Sequence, residues 1–340
     1  ERGVAGMIKE RAIEAILEFL DMAVRKSPAT LMVLEDIHWA DADSLALLER
    51  VAALAADRPL LMVCLARPTI LERWPRWPGE NPVGALSLPV RPLDGMGCRN
   101  LVLNILRKLP HIPPNLTDLI IHSAAGNPYY VEELVRVLIE DGIIIAGQDD
   151  WHIQPRKLTR LRVPATLTGV LQARLDRLPE MERVTLQQAA VVGDEFWAGA
   201  IQLLNRAARF PQPEEHVTTA LDSLERRDMI VRSTSAAFTG SRTYHFRHTL
   251  LREVAYESVL LRDRSGYHLQ AARWLESQKG DRSEDYAAPI AQHYEQAGQP
   301  AEAARLYGQA AARAADQFKL TAAIDLYHRG LDMLRNLPHH

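Results

Sequence analysis

The sequence predicts an α/β segment at its amino end followed by an all-α remainder. Three observations carry that expectation. Two apolar runs, Leu31 to Leu34 and Leu60 to Ala66, flank a single stretch of helical periodicity. Beyond residue 94 apolar residues recur almost everywhere at helical spacing. Near the carboxyl end Ala303-Ala304-Arg305-Leu306-Tyr307 is echoed by Ala323-Ile324-Asp325-Leu326-Tyr327.

Taken in order, Gly3 to Lys9 has glycines without a preceding strand and reads as a loop, before a helix with Ile13, Ile16, Leu17 and Leu20 on one face. Leu31-Met32-Val33-Leu34 then stops on Glu35-Asp36, as a strand buried on both faces would. Asp43 and Ser44 stand where a helix cap belongs, with Leu45, Leu47, Leu48, Val51 and Leu54 behind them. The second apolar run ends on Arg67-Pro68. Strand, helix and strand on short links make a βαβ unit, so Arg67 arrives at the same sheet edge as Glu35 and Asp36. Open α/β sheets bind ligands at that edge, and two carboxylates beside a cation suit a metal and phosphate. Trp39 reads as packing. Trp74 to Gly79 is a Pro-broken loop, and Ala85 to Val90 reads as one more short strand.

From there helices are expected over Leu101 to Leu109, Leu116 to Ala125 and Tyr129 to Glu140. Gly126 stops the second, Asn127 caps the third and Pro128 fits its first turn. Ile143 to Ile145 and Trp151 to Ile153, linked by Gly147 to Asp150, read as a hairpin. Helices follow over Pro164 to Leu178, Glu180 to Val192 and Val217 to Arg227, then two strand-like runs, Met229 to Ser233 and Thr243 to Phe246, around a polar loop. Helices followed by a two-stranded ribbon suggest a winged helix. Its last helix carries Glu214, Glu215, Asp222, Glu225 and Asp228 against Arg226 and Arg227, a poor face for phosphate. His245 and His248 end the ribbon; no carboxylate or cysteine at ligand spacing completes a zinc site, which leaves a capping role beside the alternative given below. From Tyr267 onward the small-residue repeat suits paired helices of a tetratricopeptide-like solenoid.

Leu34 to Ala40, Asp41 to Leu48 and Arg67 resemble the Walker B segment and first sensor of signal-transducing P-loop NTPases of the STAND class. The acid-acid-x-His-Trp-Ala-Asp string is similar to that of bacterial ATPase modules attached to nucleotide cyclases, protein kinases or LuxR-type regulators. Gly126-Asn127-Pro128 resembles the Gly-x-Pro motif of the family's helical lid. Tyr244 to Tyr256 resembles its Met-His-Asp segment, in which only His248 carries over, Arg247 and Thr249 replacing its neighbours. The resemblance implies catalytic roles for Glu35, which would order Mg²⁺ through water, and Asp36, which would polarise the attacking water. It implies nucleotide contacts for Arg67, Gly126, Pro128 (against adenine and ribose) and His248 (at the β-phosphate of ADP). The implied domains are the distal part of a P-loop NTPase core at 1–94, a helical lid with a small hairpin at 95–160, a winged helix at 161–265 and the start of a helical repeat at 266–340.

The phosphate-cradling Gly-x-x-x-x-Gly-Lys-Ser/Thr string is absent from the sequence. The expectation is therefore a piece cut inside the nucleotide-binding domain, hydrolysing nothing alone and binding no cofactor tightly. The complete protein would use Mg²⁺ and ATP/ADP as a switch, with a fused effector outside this segment, protein partners on the repeats and a nucleotide-dependent oligomer. The alternatives are a winged-helix transcription regulator and a helical-repeat scaffold without nucleotide chemistry.

Composition narrows the rest. The 340 residues are 47% apolar and 24% charged, with 40 basic against 43 acidic side chains, a balance that favours no polyanion partner. Cys64 and Cys98 cannot make a disulfide framework, which with no apolar run near the length of about 18 residues that a span needs points to a cytoplasmic protein off the membrane.

Overall fold

The computed structural model describes residues 2–55, 57–75, 77, 86–147, 150–154, 157, 164, 166–208, 211–233, 238, 240–278 and 286–335. These form two compact units, residues 1–90 and 91–340.

The first unit holds α1 (Arg2–Arg25), β1 (Thr30–Leu34), a 3₁₀ turn (Ile37–Trp39), α2 (Ala42–Ala55), β2 (Leu60–Cys64) and α3 (Thr69–Arg73). β1 and β2 pair in parallel from Thr30 opposite Leu60 to Leu34 opposite Cys64, the expected βαβ unit. Residues 3–9 belong to α1, not to a loop. Two glycines cost a helix about 1 kcal/mol each against alanine, too little to stop a long run of otherwise helix-compatible residues. The helix cap is Asp41, whose Oδ1 accepts the Ser44 N–H at 2.7 Å, two residues before the expected position.

β1 is not buried on both faces. Val24, Val51 and Leu60, with Leu17, Leu20, Met32, Leu47 and Met62 against them, make one packed face. On the other, Leu31 is 62% exposed, Val33 50% and Leu61 63%, because the described helices cover only one side. Residues 86–90 form no strand; Leu86, Leu88 and Val90 are exposed, and among the described residues no strand lies beside them to turn their alternation into a ladder. Ala85 lies outside the described residues, as do Arg76, Pro78 and Gly79 of the preceding loop.

The second unit begins with α4 (Gly95–Ile105), α5 (Pro114–Ala124) and α6 (Pro128–Glu140), then a hairpin of β3 (Ile144–Ala146) and β4 (Trp151–Ile153). α4 starts earlier than the apolar periodicity suggests, since Asp94 Oδ1 accepts the Gly97 N–H at 2.6 Å and caps it there. The hairpin matches expectation to within a residue, with Gln148 and Asp149 of its link outside the described residues. α4, α5 and α6 share one core around Val102, Leu106, Leu116, Ile120, Leu134 and Leu138.

α7 (Leu167–Asp176) and α8 (Glu180–Val192) lead into β5 (Glu195–Trp197), α9 (Ala198–Arg206), α10 (Glu214–Arg226), β6 (Ile230–Arg232), β7 (Thr243–Phe246) and α11 (Thr249–Glu257). The sheet is antiparallel in order β5-β7-β6. It has three strands where the sequence suggested two, because Phe196 and Trp197 are drawn in opposite Tyr244 and Thr243. Residues 234–237 and 239 of the polar loop lie outside the described residues.

α12 (Leu261–Ser277), α13 (Ala287–Gln296), α14 (Pro300–Asp316) and α15 (Leu320–Arg335) follow, each against the next. Small residues set the spacing, as expected. A β-carbon on Gly330 of α15 would meet Tyr307 Cβ at 3.4 Å and the Ala304 carbonyl at 3.5 Å on α14. Trp274, Ile290, Tyr294, Leu306 and Tyr307 belong to the same core as Leu186, Phe196 and Tyr244, so the helical array is continuous with the β5–β7 body. Cys64 and Cys98 are free thiols. Among the described residues no helix is long and apolar enough to cross a membrane.

Candidate functional site

Two groups of the singled-out residues are formed, one in each unit. In the first, the parallel ladder ends at Leu34 and Cys64, and the next backbone bonds knit the edge. Leu65 N–H donates to Leu34 O at 2.8 Å and Ile37 N–H to Leu65 O at 3.1 Å. Asp36, between them, is left-handed with φ 54°, a conformation that Asp and Asn tolerate better than most side chains. That reversal starts the 3₁₀ turn and leaves the Asp36 side chain 71% exposed at the carboxyl edge of the sheet. Glu35 is also exposed there. Arg67 lies on the same edge, with its backbone N–H toward His38 Nδ1 at 3.5 Å. His38, named in sequence only as part of a string, is a buried member of the group, 8% exposed, and its Nδ1 is 3.8 Å from Asp36 Oδ1. Trp39 is not a packing residue: it is 77% exposed, its ring 5.1 Å from that of His38. The 3₁₀ turn buries Ile37 and His38 and thereby directs Trp39 outward.

No group of three or more metal-ligating side chains occurs among the described residues. Two exposed carboxylates cannot cage an ion. They do suit Mg²⁺ carried by a polyphosphate, since Mg²⁺ keeps several waters and takes one or two protein carboxylates beside substrate phosphates.

The second group lies where α5 gives way to α6. Ala125 (φ 47°) and Gly126 (φ 86°) are both left-handed and reverse the chain. A β-carbon on Gly126 would lie 2.6 Å from Leu93 O and 2.7 Å from Pro92 Cβ, and Leu93 N–H donates to Gly126 O at 2.8 Å, so only glycine fits. Asn127 Oδ1 then accepts the Tyr130 N–H at 3.3 Å and Pro128 opens α6, as the sequence suggested. Pro128 itself is exposed.

His248 stands at the position before α11 but its side chain makes no capping hydrogen bond. Its ring instead lies on Tyr129, centroids 3.8 Å apart at 41°. Burial, and the neighbouring Arg247 cation, hold the His248 imidazole below its usual pKa despite the opposing Glu132 and Asp228. Burial likewise pushes the Tyr129 phenol up. His245 is elsewhere, on the exposed side of β7, with Nε2 3.8 Å from Glu195 Oε1, so the two histidines form no metal pair.

An ion network that sequence could not reveal backs this contact. Arg174 of α7, only 2% exposed, is bonded to Glu133 and, at 2.9 Å, to Glu140, both on α6, and its Nη2 also donates to Arg227 O at 3.3 Å. Burial raises the Glu133 carboxyl, with Arg174 opposing. Arg136 of α6 reaches Asp228, the left-handed residue (φ 57°) between α10 and β6, and Arg247 lies 3.6 Å from the same carboxylate. α6, α7 and the β6–β7 body are thus joined by charge. The signal existed only as acids and arginines at helical spacing, indistinguishable from a solvated face.

No family model matches the chain. An uncharacterized protein of Rhizobium meliloti (strain 1021) is 27% identical over 335 residues, 96% of this chain and 30% of that protein. Among solved structures, the Signal Transduction ATPase with Numerous Domains (STAND) protein with a tetratricopeptide repeat sensor from Pyrococcus horikoshii superposes with a TM-score of 0.54 at 12% identity, over 94% of this chain and 45% of that one. The Aeropyrum pernix ORC1 protein, solved in complex with DNA, gives 0.31 at 14% identity over 71% of this chain and 67% of that one, too low to define a common fold. The chain therefore shares its fold with part of a STAND protein and spans less than half the length of either longer protein that it matches well.

Proposed function

We propose that this chain is the switch portion of a STAND-type ATPase: the distal piece of a P-loop NTPase core, a helical lid, a winged helix and the first helices of a tetratricopeptide-like sensor. The observation that carries the reading is the His248–Tyr129 stack. Tyr129 follows directly on Pro128 of the lid motif, and its ring lies on that of His248, so two residues expected separately as nucleotide contacts are linked through the one between them. The order helix α8, strand β5, helices α9 and α10, strands β6 and β7 supports the winged helix. Arg242 with Asp222 and Arg206 with Glu214 form ion pairs on and around α10, which favours packing on protein over binding DNA.

In this reading bound Mg²⁺ would supply charge neutralisation of the nucleotide phosphates. Glu35 would hold its water shell, and Asp36, projected from the sheet edge by its left-handed backbone, would orient the attacking water. Arg67 would face the phosphates. Pro128, exposed at the start of α6, would contact the base and ribose. His248, kept neutral by burial and Arg247, would tell ADP from ATP and thereby bias the lid and winged helix between two arrangements.

The test uses the complete protein. Asp36→Asn keeps a residue that tolerates φ > 0 and removes only the charge, so ATP binding should persist while turnover is lost; unchanged hydrolysis would falsify the role of Asp36. His248→Gln should weaken ADP more than ATP, measured by calorimetry. This chain alone should release no phosphate from ATP.

A further inference from the structure

The parallel ladder of the first unit ends on a side chain. Leu65 N–H donates to Leu34 O at 2.8 Å and Ile37 N–H to Leu65 O at 3.1 Å, but Arg67 N–H, farther along that edge, meets the His38 imidazole at Nδ1, 3.5 Å away. The ring is 8% exposed, and the 3₁₀ turn fixes its place, with Trp39 N–H donating to Asp36 O at 3.0 Å. Arg67 is held from both sides, since its carbonyl takes the Ile70 N–H at 3.1 Å as α3 begins. The His38 bond therefore sets where the Arg67 main chain leaves the sheet.

The same nitrogen lies 3.8 Å from Asp36 Oδ1, outside hydrogen-bonding range. One ring nitrogen cannot serve both groups, because it accepts from Arg67 only when bare and donates to Asp36 only when it carries hydrogen. The geometry selects the first. A bare Nδ1 offers the carboxylate nothing, which leaves the Asp36 side chain turned to solvent, 71% exposed. The ring hydrogen then resides on Nε2, a buried atom without a hydrogen-bond partner among the described residues. An unpaired buried N–H is destabilising, so packing alone favours an apolar side chain here, beside the small core of Ile37, Leu45 and Ile70. What histidine adds over leucine is a fixed acceptor next to Asp36.

We propose that His38 is a positioning residue of the carboxyl-edge site: through Nδ1 it holds the Arg67 main chain, and by accepting there it keeps the Asp36 carboxylate free to work on water. The opposite tautomer would reverse both effects, drawing Asp36 inward and releasing Arg67. What Asp36 and Arg67 act on rests on the ATPase reading above; the tautomer and the bond to Arg67 do not.

Two measurements on the 340-residue chain need no nucleotide. Nitrogen-15 correlation of the unaltered chain near neutral pH should show hydrogen on His38 Nε2 and a bare Nδ1. The Arg67 amide should exchange faster in His38→Leu than in His38→Asn, whose side-chain oxygen can stand near the place of Nδ1. In the complete protein, His38→Leu should lower kcat for ATP on the order of 10- to 100-fold with KM little changed, the loss typical of groups that orient a reacting centre from behind. His38→Asn should recover most of it. A purely structural role predicts the reverse order, since a buried amide is costlier than leucine. Hydrogen on Nδ1, Arg67 exchange no faster in His38→Leu than in the unaltered chain, or His38→Leu at least as active as His38→Asn overturns the assignment. Turnover retained by Asp36→Asn overturns the ATPase reading instead, and leaves the tautomer and exchange results to decide the bond.

Discussion

The imidazole of His248 lies on the phenol ring of Tyr129 with centroids 3.8 Å apart, which ties the residue before α11 to the first turn of α6. The phenol ring is part of what covers His248, and burial is the largest cause of its lowered pKa, with Arg247 the next. Removing the covering ring with Tyr129→Ala should return the imidazole toward its ordinary value near 6.5. Arg247→Gln should move it in the same direction by less. Histidine ring-proton shifts followed by NMR against pH measure both, and an unmoved His248 titration in folded Tyr129→Ala would mean that the phenol does not shield it.

The buried Arg174–Glu133 pair should be far more sensitive to losing one partner than both. Glu133→Gln leaves a guanidinium that is 2% exposed with Glu140 as its remaining carboxylate, and removal of one member of a buried pair costs about 3–5 kcal/mol. The remaining Glu140 carboxylate makes the lower end of that range the expectation. Replacing both, as Glu133→Met with Arg174→Met, should recover much of the loss, because a fitted apolar pair has no desolvation to offset. Urea unfolding of the two variants beside the unaltered chain decides it; a double variant less stable than Glu133→Gln would mean that the ions contribute net stability.

What sequence revealed and what it hid divide along a physical line. Parallel β1 and β2, the Gly126–Pro128 stop and start, and the β3–β4 hairpin follow from nearest-neighbour chemistry: apolar run length, a glycine forced to positive φ, an Asn that caps its own helix. β5 was missed because three residues make a strand only when β7, nearly fifty residues on, supplies the partner. The same dependence explains the opposite error at Leu86, Leu88 and Val90, where alternation without a neighbour gives no strand. At the first candidate site, sequence placed Glu35, Asp36 and Arg67 on one edge, but the outward turn of Trp39 and the burial of His38 follow from a left-handed Asp36 that no spacing rule indicates. At the second, Pro128 and His248 were legible as separate motifs. Tyr129, which connects them, looked like one aromatic among many.

Gly126→Ala should destabilise the second unit. The added methyl meets the Leu93 carbonyl at 2.6 Å, a backbone atom that cannot rotate away, and alanine is strained at φ 86°. Such strain costs on the order of 1–3 kcal/mol before the clash is relieved. Hydrogen exchange should show it first at the Leu93 amide, which donates to Gly126 O. Exchange at Leu93 equal to that of the unaltered chain would place the relaxation elsewhere.

His268 of α12 and His293 of α13 face one another with Nδ1 to Nδ1 at 2.9 Å, and one tautomeric pattern satisfies every atom. Tyr256 O–H donates to His268 Nε2 across 3.1 Å, His268 Nδ1–H donates to His293 Nδ1, and His293 donates from its other nitrogen to the Val192 backbone. Any added proton breaks that chain. Burial is accordingly the first cause holding His268 down to about 3, with the His293 charge next, and burial holds His293 down to about 4. The folded values lie below the unfolded value near 6.5, so between those limits the unfolded chain binds protons that the folded chain refuses. Stability from this pair is complete above about pH 6.5, declines as the pH falls by up to about 1.4 kcal/mol per pH unit for each histidine, and levels off only below the folded values. Urea midpoints between pH 7.5 and 4.5 should trace that decline. Nitrogen-15 shifts of the two rings should stay those of neutral imidazoles at pH 5 in the folded chain, and an imidazolium signal from either at that pH would refute the relay.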